Sequence, residues 1–287
     1  MTSLGVFDSG VGGLSVLRHL RAQLPAVDLI YLADSGHVPY GPRPLAEVRA
    51  FSEAITRFLL AQGAQALVVA CNTASAAALK HLRATFPATP FVGMEPAVKP
   101  AAEQTRTGVV GVLATPATFQ GELFNSGVER FAQGVRVIPQ ICPGLVEQIE
   151  AGELDSPATE AMLRGWVEPM LTQDIDALVL GCTHYPFIIP LLEKIAVPGV
   201  RVIDPAPAVA RQAVRVLNGP SAPAGARQTV RVLNGAGEQG DGGVPGKLIY
   251  YTTGDRAVFQ QAVTRLGAEP APVRTARWDA GGLAVAD

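Results

Sequence analysis

Short apolar runs alternate along this chain with longer stretches whose apolar residues recur every three or four positions. Leu4–Phe7, Asp28–Ala33, Leu67–Ala70 and Phe91–Met94 have the length of strands covered on both faces. Between them lie helical spacings: Leu14, Val16, Leu17 and Leu20; then Leu45, Val48, Phe51, Ile55, Phe58 and Leu59; then a stretch from Ala76 to about Arg83. A second series follows, with strands expected at Thr107–Ala114, Val135–Pro139, Ala177–Leu180 and Val200–Ile203. Its helices are expected up to about Phe131, after Gly144, and over Ala158–Leu171. A helix over 208–217, a strand at Leu248–Thr252 and a helix at Ala257–Leu266 complete the pattern, and beyond Glu269 we expect an extended or frayed end. Strands alternating with helices predict an α/β fold built on mostly parallel, open sheets.

The polar residues gather where these strands end, which is where open α/β sheets bind ligands. The first strand runs into Asp8-Ser9-Gly10-Val11-Gly12-Gly13. This is neither G-x-G-x-x-G nor a Walker loop, so a carboxylate held by backbone N–H groups suits it better than a nucleotide. The second runs into Asp34-Ser35-Gly36-His37-Val38-Pro39-Tyr40-Gly41, where Tyr40 either packs on its neighbours or meets a ligand. The third meets Cys71, with Asn72, Thr73 and Ser75 as cap-type side chains for the next helix. A thiol beside a helix start lies near unpaired N–H groups that favour a thiolate. Alone, Cys71 reads first as a small apolar core residue.

The second series changes that reading. Its first strand ends in Thr115-Pro116-Ala117-Thr118, and its third ends in Gly181-Cys182-Thr183-His184. Set side by side, LVVACNTAS from Leu67 and LVLGCTHYP from Leu178 share an apolar run, a small residue, Cys and hydrogen-bonding side chains. Ser9 precedes Cys71 by 62 positions and Thr115 precedes Cys182 by 67, so the two halves match in order and nearly in length. Two pseudo-symmetric lobes, each ending its third strand in a cysteine, are the simplest account. Cys142 has no such counterpart and reads as structural. A local duplication (RQAVRVLNG from Arg211, RQTVRVLNG from Arg227) lies among Gly-rich sequence, and 219–246 reads as a flexible surface insertion.

Composition narrows the function classes without choosing one. The 287 residues are 48% hydrophobic and 17% charged, with a formal net charge of −2, which gives no sign of a nucleic-acid or membrane partner. There is no signal-peptide pattern and no run near the ~18 apolar residues of a membrane span, so a cytoplasmic location is expected. Three well-separated cysteines and four histidines without C-x-x-C spacing support neither a disulfide framework nor a zinc site, and we expect no metal.

Taken together, DSGVGG at 8–13, DSGHVPYG at 34–41, ACNTAS at 70–75, ATPAT at 114–118 and GCTHYP at 181–186 resemble the glutamate racemases of the aspartate/glutamate racemase superfamily. The resemblance spans roughly residues 4 to 268. It implies racemisation of L- and D-glutamate without a cofactor, supplying D-glutamate for peptidoglycan synthesis and cell-wall biogenesis. It implies a two-base mechanism, with Cys71 taking the proton from D-glutamate and Cys182 from L-glutamate. Asp8 and His184 match residues thought to assist the transfers, and Glu150 matches a carboxylate sometimes given a supporting role. Substrate contacts fall on Asp8, Ser9, Pro39, Tyr40, Gly41, Asn72, Thr73, Thr115, Thr118, Thr183 and His184. The implied lobes are 1–95 plus 208–287, and 96–207, with the site between them; the oligomeric arrangement, a homodimer included, stays open. Aspartate racemases of the superfamily usually carry Glu where this chain has His184. Its decarboxylases need only one cysteine. A two-lobed solute-binding protein would share the architecture, but paired cysteines and a missing export signal argue against it.

Overall fold

The computed structural model describes residues 2–219 and 245–286, so most of the 219–246 stretch, including the second copy of the duplication, lies outside the described residues. Among the described residues eleven strands fall into two sheets. In the first half β1 (Ser3–Asp8), β2 (Asp28–Ala33), β3 (Ala66–Val69) and β4 (Phe91–Gly93) alternate with α1 (Leu14–Gln23), α2 (Leu45–Ala61) and α3 (Asn72–Thr85). After α4 (Val98–Gln104) come β5 (Val109–Ala114), α5 (Pro116–Gln120), α6 (Glu122–Phe131), β6 (Arg136–Ile141), α7 (Leu145–Ala151), α8 (Pro157–Leu171) and β7 (Ala177–Gly181). A 3-10 turn at Tyr185–Ile188, α9 (Ile189–Ile195) and β8 (Arg201–Ile203) follow, then α10 (Ala206–Asn218), β9 (Leu248–Thr252), α11 (Arg256–Arg265), β10 (Val273–Asp279) and β11 (Gly282–Ala286).

The strand order is β11-β10-β9-β2-β1-β3-β4 in one sheet and β6-β5-β7-β8 in the other. All pairings are parallel except β10 with β11. The sequence echo therefore has a spatial form: second, first, third and fourth strands stand in the same order in both sheets. In each, the chain moves to one side of its first strand and then to the other, creating a switch point between first and third strands. Cys71 and Cys182 lie just past the carboxyl ends of those third strands. The apolar runs earn their place by alternation onto two covered faces. Leu4 and Val6 join one core cluster while Phe7 joins the other, and Leu178 and Leu180 face away from Ala177 and Val179 in the second sheet.

Three expectations need correction. The stretch beyond Glu269 is extended, as one of the two expected forms, but it is paired and not frayed: β10 pairs in parallel with β9 and hairpins back through β11. Arg274 and Arg277 obscure its strand pattern, although Ala276 is fully buried and Trp278 packs on the core. The helical stretch from Pro116 to Phe131 breaks at Gly121, where a Cβ would press on Ala76 of α3 at 2.6 Å. Finally, the two cysteines do not have equivalent helix starts: α3 follows Cys71 directly, whereas Cys182 is followed by a turn and four 3-10 residues.

Candidate active site

Cys71 is itself the N-cap of α3. Its extended backbone turns the sulfur back over the first turn, where Sγ accepts the Ala74 N–H at 3.4 Å. The side chains expected to cap the helix are thereby released for other contacts. Thr73 Oγ1 lies 3.0 Å from Thr115 Oγ1. Ser75 donates to the Val69 carbonyl and accepts the Met94 N–H, tying α3 to β3 and β4. Asn72 is 3% exposed, and neither its amide nitrogen nor its oxygen has a partner. Buried amides without partners are rare, and one bordering a cavity is available to a ligand on both its donor and acceptor sides.

A small cavity separates Cys71 from Cys182. It is lined by Ser9, Pro39, Tyr40, Gly41, Cys71, Asn72, Thr73, Thr115, Val146, Cys182, Thr183 and His184. It is narrow: the centre of a water-sized sphere has only about 10 Å³ in which to move. Three predicted residues stand one contact behind this lining. Asp8 accepts from the Thr183 hydroxyl at 3.0 Å and the Gly10 N–H at 2.9 Å. Thr118 Oγ1 lies 3.0 Å from Thr115 Oγ1, and Glu150 Oε1 lies 2.7 Å from His184 Nε2. The predicted residues are thus gathered in one place. Val146 of α7 is the lining residue that the sequence reading missed; nothing distinguishes it there from an ordinary core position.

The two walls differ in charge. Burial and the nearby Asp8 carboxylate push the Cys71 thiol well up, against opposing hydrogen bonds from the Ala74 and Ser9 N–H groups. This corrects the expectation that the helix start would lower it: desolvation outweighs a few N–H groups. Burial also raises the Asp8 carboxyl, partly offset by His184 and the Gly10 N–H. For His184 burial favours the neutral ring, but its bonds to Cys182 and Glu150 prevail and hold it well above the usual imidazole range. Its Nδ1 lies 3.7 Å from Cys182 Sγ, so Glu150, His184 and Cys182 form a continuous line of proton-exchanging groups. The third thiol differs again. Cys142 faces the second-lobe core, and burial pushes it up to about 12.

Glycines let the walls approach. A Cβ on Gly12 would run into the His184 ring and the Thr183 hydroxyl, one on Gly10 into Glu150, and one on Gly41 would meet Thr115 at 3.0 Å. Bonds across the gap accompany these contacts: Val11 N–H to Glu150, Ser15 hydroxyl to the Thr183 carbonyl, and Arg265 to the Glu150 and Ala151 carbonyls. A wider groove, with about 780 Å³ of water-accessible space, lies between α2, α3 and the start of α6, but neither cysteine borders it. Among the described residues no three His, Cys, Asp or Glu side chains cluster to hold a metal ion, and no helix is long and apolar enough to cross a membrane.

The Asp/Glu/Hydantoin racemase family model matches residues 4–213. The glutamate racemase of Roseiflexus sp. (strain RS-1) is 56% identical over 214 residues, 75% of this chain and 79% of that protein. The crystal structure of glutamate racemase isoform RacE1 from Bacillus anthracis superposes with a TM-score of 0.81 at 29% identity, covering 96% of this chain and 97% of the other. Escherichia coli glutamate racemase, in complex with L-glutamate and the activator UDP-MurNAc-ala, gives 0.75 at 29% identity over 100% and 99% of the two chains. Fold, motif order and these similarities agree, and the chain belongs to the glutamate racemases, a group of amino-acid racemases within the Asp/Glu/Hydantoin racemase family.

Proposed function

We propose that this enzyme interconverts L- and D-glutamate without a cofactor by two-thiol proton transfer at Cα, in the cytoplasm, supplying D-glutamate for peptidoglycan synthesis. The observation that carries the mechanism is one cavity with a thiol on each of two facing walls, each thiol beside its own ionisable group. Inverting a stereocentre requires a proton to leave one face and another to arrive on the opposite face. A lone base would return it to the side it came from; a thiolate and a thiol across the substrate avoid this and exchange states at each turnover.

In this reading Cys71, near Asp8, serves the D-glutamate face, and Cys182, with His184 and Glu150 behind it, serves the L-glutamate face. The substrate carboxylates are held by Ser9, Asn72, Thr73, Thr115 and Thr183 and by the loop at Pro39-Tyr40-Gly41. Those donors also stabilise the carbanion that no cofactor ring is present to delocalise. The cavity is too small for glutamate as it stands. The two lobes, taken as 1–95 with 208–287 and as 96–207, therefore part to admit it and close again to exclude water.

The test is incubation with L-glutamate and, separately, D-glutamate in D₂O without added cofactor, followed by chiral analysis and mass spectrometry. Both enantiomers should approach an equal mixture, with deuterium at Cα of the product. Product that retains all of its original hydrogen would contradict open two-base exchange. A preference for aspartate in a parallel assay would overturn the substrate assignment, which His184 supports.

A further inference from the structure

Asp34 follows β2 directly and lies beside Asp8, whose carbonyl accepts the Asp34 N–H at 3.0 Å, and its side chain is fully buried. A buried carboxylate is expensive to desolvate unless donors surround it. Here four side chains supply them. Oδ1 accepts from the Thr253 hydroxyl at 2.6 Å and the Trp278 indole N–H at 2.8 Å, and Oδ2 accepts from the Tyr40 hydroxyl at 2.6 Å. His37 Nδ1 lies 3.0 Å from Oδ2. The loop is fastened a second time where Gly36 N–H donates to Thr253 Oγ1 at 2.9 Å. His37 also stacks on Phe51 at 4.1 Å and meets Trp278 edge-on at 5.2 Å.

These donors come from distant parts of the chain. Thr253 follows β9, Trp278 belongs to the C-terminal hairpin, and neither lines the cavity. Tyr40 and the neighbouring Pro39 and Gly41 line the cavity. One carboxylate thus joins the C-terminal hairpin to the segment that borders the substrate space. We infer that Asp34, held from behind by Trp278 and Thr253, is a positioning residue that sets the Pro39–Gly41 segment for substrate. The inference rests on the racemase reading above. Tyr40 spends its single hydroxyl proton on Asp34, so the carboxylate fixes both where the ring stands and which way its hydroxyl points.

The substitutions separate this role from simple stability. Trp278→Phe keeps the ring packing and removes one donor; Thr253→Val removes the other. Each should raise KM for glutamate about tenfold, the effect of losing one hydrogen bond to a charged acceptor, with kcat within about threefold. Asp34→Asn should do more, because an amide nitrogen facing Tyr40 would turn that hydroxyl from donor to acceptor. Hydrogen exchange should quicken at the amides of residues 36–41 in Trp278→Phe while exchange in β1 and β5 stays unchanged. Unchanged KM and unchanged loop exchange in both Trp278→Phe and Thr253→Val would overturn the inference, even were Asp34→Asn not to fold. A lower melting temperature with wild-type KM would mark the anchor as structural only, and also overturn it. Absence of turnover in the wild-type enzyme would instead defeat the racemase reading, and the loop exchange rates would then decide the anchor alone.

Discussion

The wall built on α3 and the wall built on the turn after β7 begin from the same strand order and the same cysteine position, yet they surround their thiols oppositely. Cys71 is roofed by α3 and lies near a carboxylate; Cys182 lies against an imidazole that a second carboxylate holds toward its protonated form. A protein of L-residues cannot build a mirror image of a site, so two enantiomers must be met by different chemistry on the two sides. What the walls share is a thiol just past the end of a third strand; what differs is the ionisable group set beside it. Asp8 also reaches across, accepting from Thr183 beside Cys182, and its carboxyl feels the charges of His184 and Glu150 on that side. Thermodynamics limits how this asymmetry can appear. The enantiomers have equal free energy, so kcat/KM in the two directions stays equal in any variant, and only kcat and KM taken separately can diverge.

The largest break removes either thiol. Cys71→Ala and Cys182→Ala should each lower racemisation by about 10³-fold or more while leaving glutamate binding measurable by calorimetry, since general acid–base catalysis alone supplies that order of effect. Turnover near wild type in either variant would mean that the walls are not partners.

Gly12→Ala should follow at about 10²-fold, although no reacting group is removed. A methyl there displaces His184 and Thr183 together, and a shift of about 1 Å near the chemistry costs that much. Gly127→Ala, where a Cβ meets nothing within 4 Å, is the control and should leave rates unchanged.

That pair of glycines shows what was legible in the sequence and what was not. Asp8, Cys71, Thr115 and Cys182 stand at the strand ends where the motifs led us to expect them, because parallel sheets force polar loops and switch points to their carboxyl edges. The doubling of the motif placed the two walls as a pair. The closeness of those walls was not legible, because a glycine kept for tight approach looks the same as one kept for a turn until its neighbour is known. Asp34 was read only as part of a loop, since its partners Thr253 and Trp278 lie more than two hundred residues downstream. Trp278 itself was hidden in a stretch whose arginines imitate a disordered tail.

Glu150→Gln should cost about tenfold and changes the comparison rather than destroying it. The amide still accepts from Val11 and His184 but no longer carries charge, so His184 loses one of the interactions holding it up. Because that charge raises the imidazole value, removing it lowers the value, and the alkaline limb of the rate profile should move to lower pH. Stability follows the same sign. The contribution of His184 is complete below the ordinary imidazole value of about 6.5 and is lost as pH rises through its raised folded value, so the variant should lose it at lower pH. A wild-type pH profile in Glu150→Gln would separate Glu150 from the Cys182 wall.

Cys142 supplies the smallest effect and the sharpest control, because it is a third buried thiol in the same lobe as Cys182. It follows β6, on the far side of β5 from Cys182, and does not itself border the cavity, although Val146 in the next helix does. Its sulfur contacts the Gln140 carbonyl at 3.7 Å, and burial pushes the thiol up to about 12. Cys142→Ala should therefore keep kcat and KM within about threefold while lowering the unfolding free energy by about 1 kcal/mol, the cost of a small cavity at a site with room to relax. Equal loss of activity in Cys142→Ala and Cys182→Ala would show that burial of a thiol in this lobe, rather than its place opposite Cys71, is what turnover depends on.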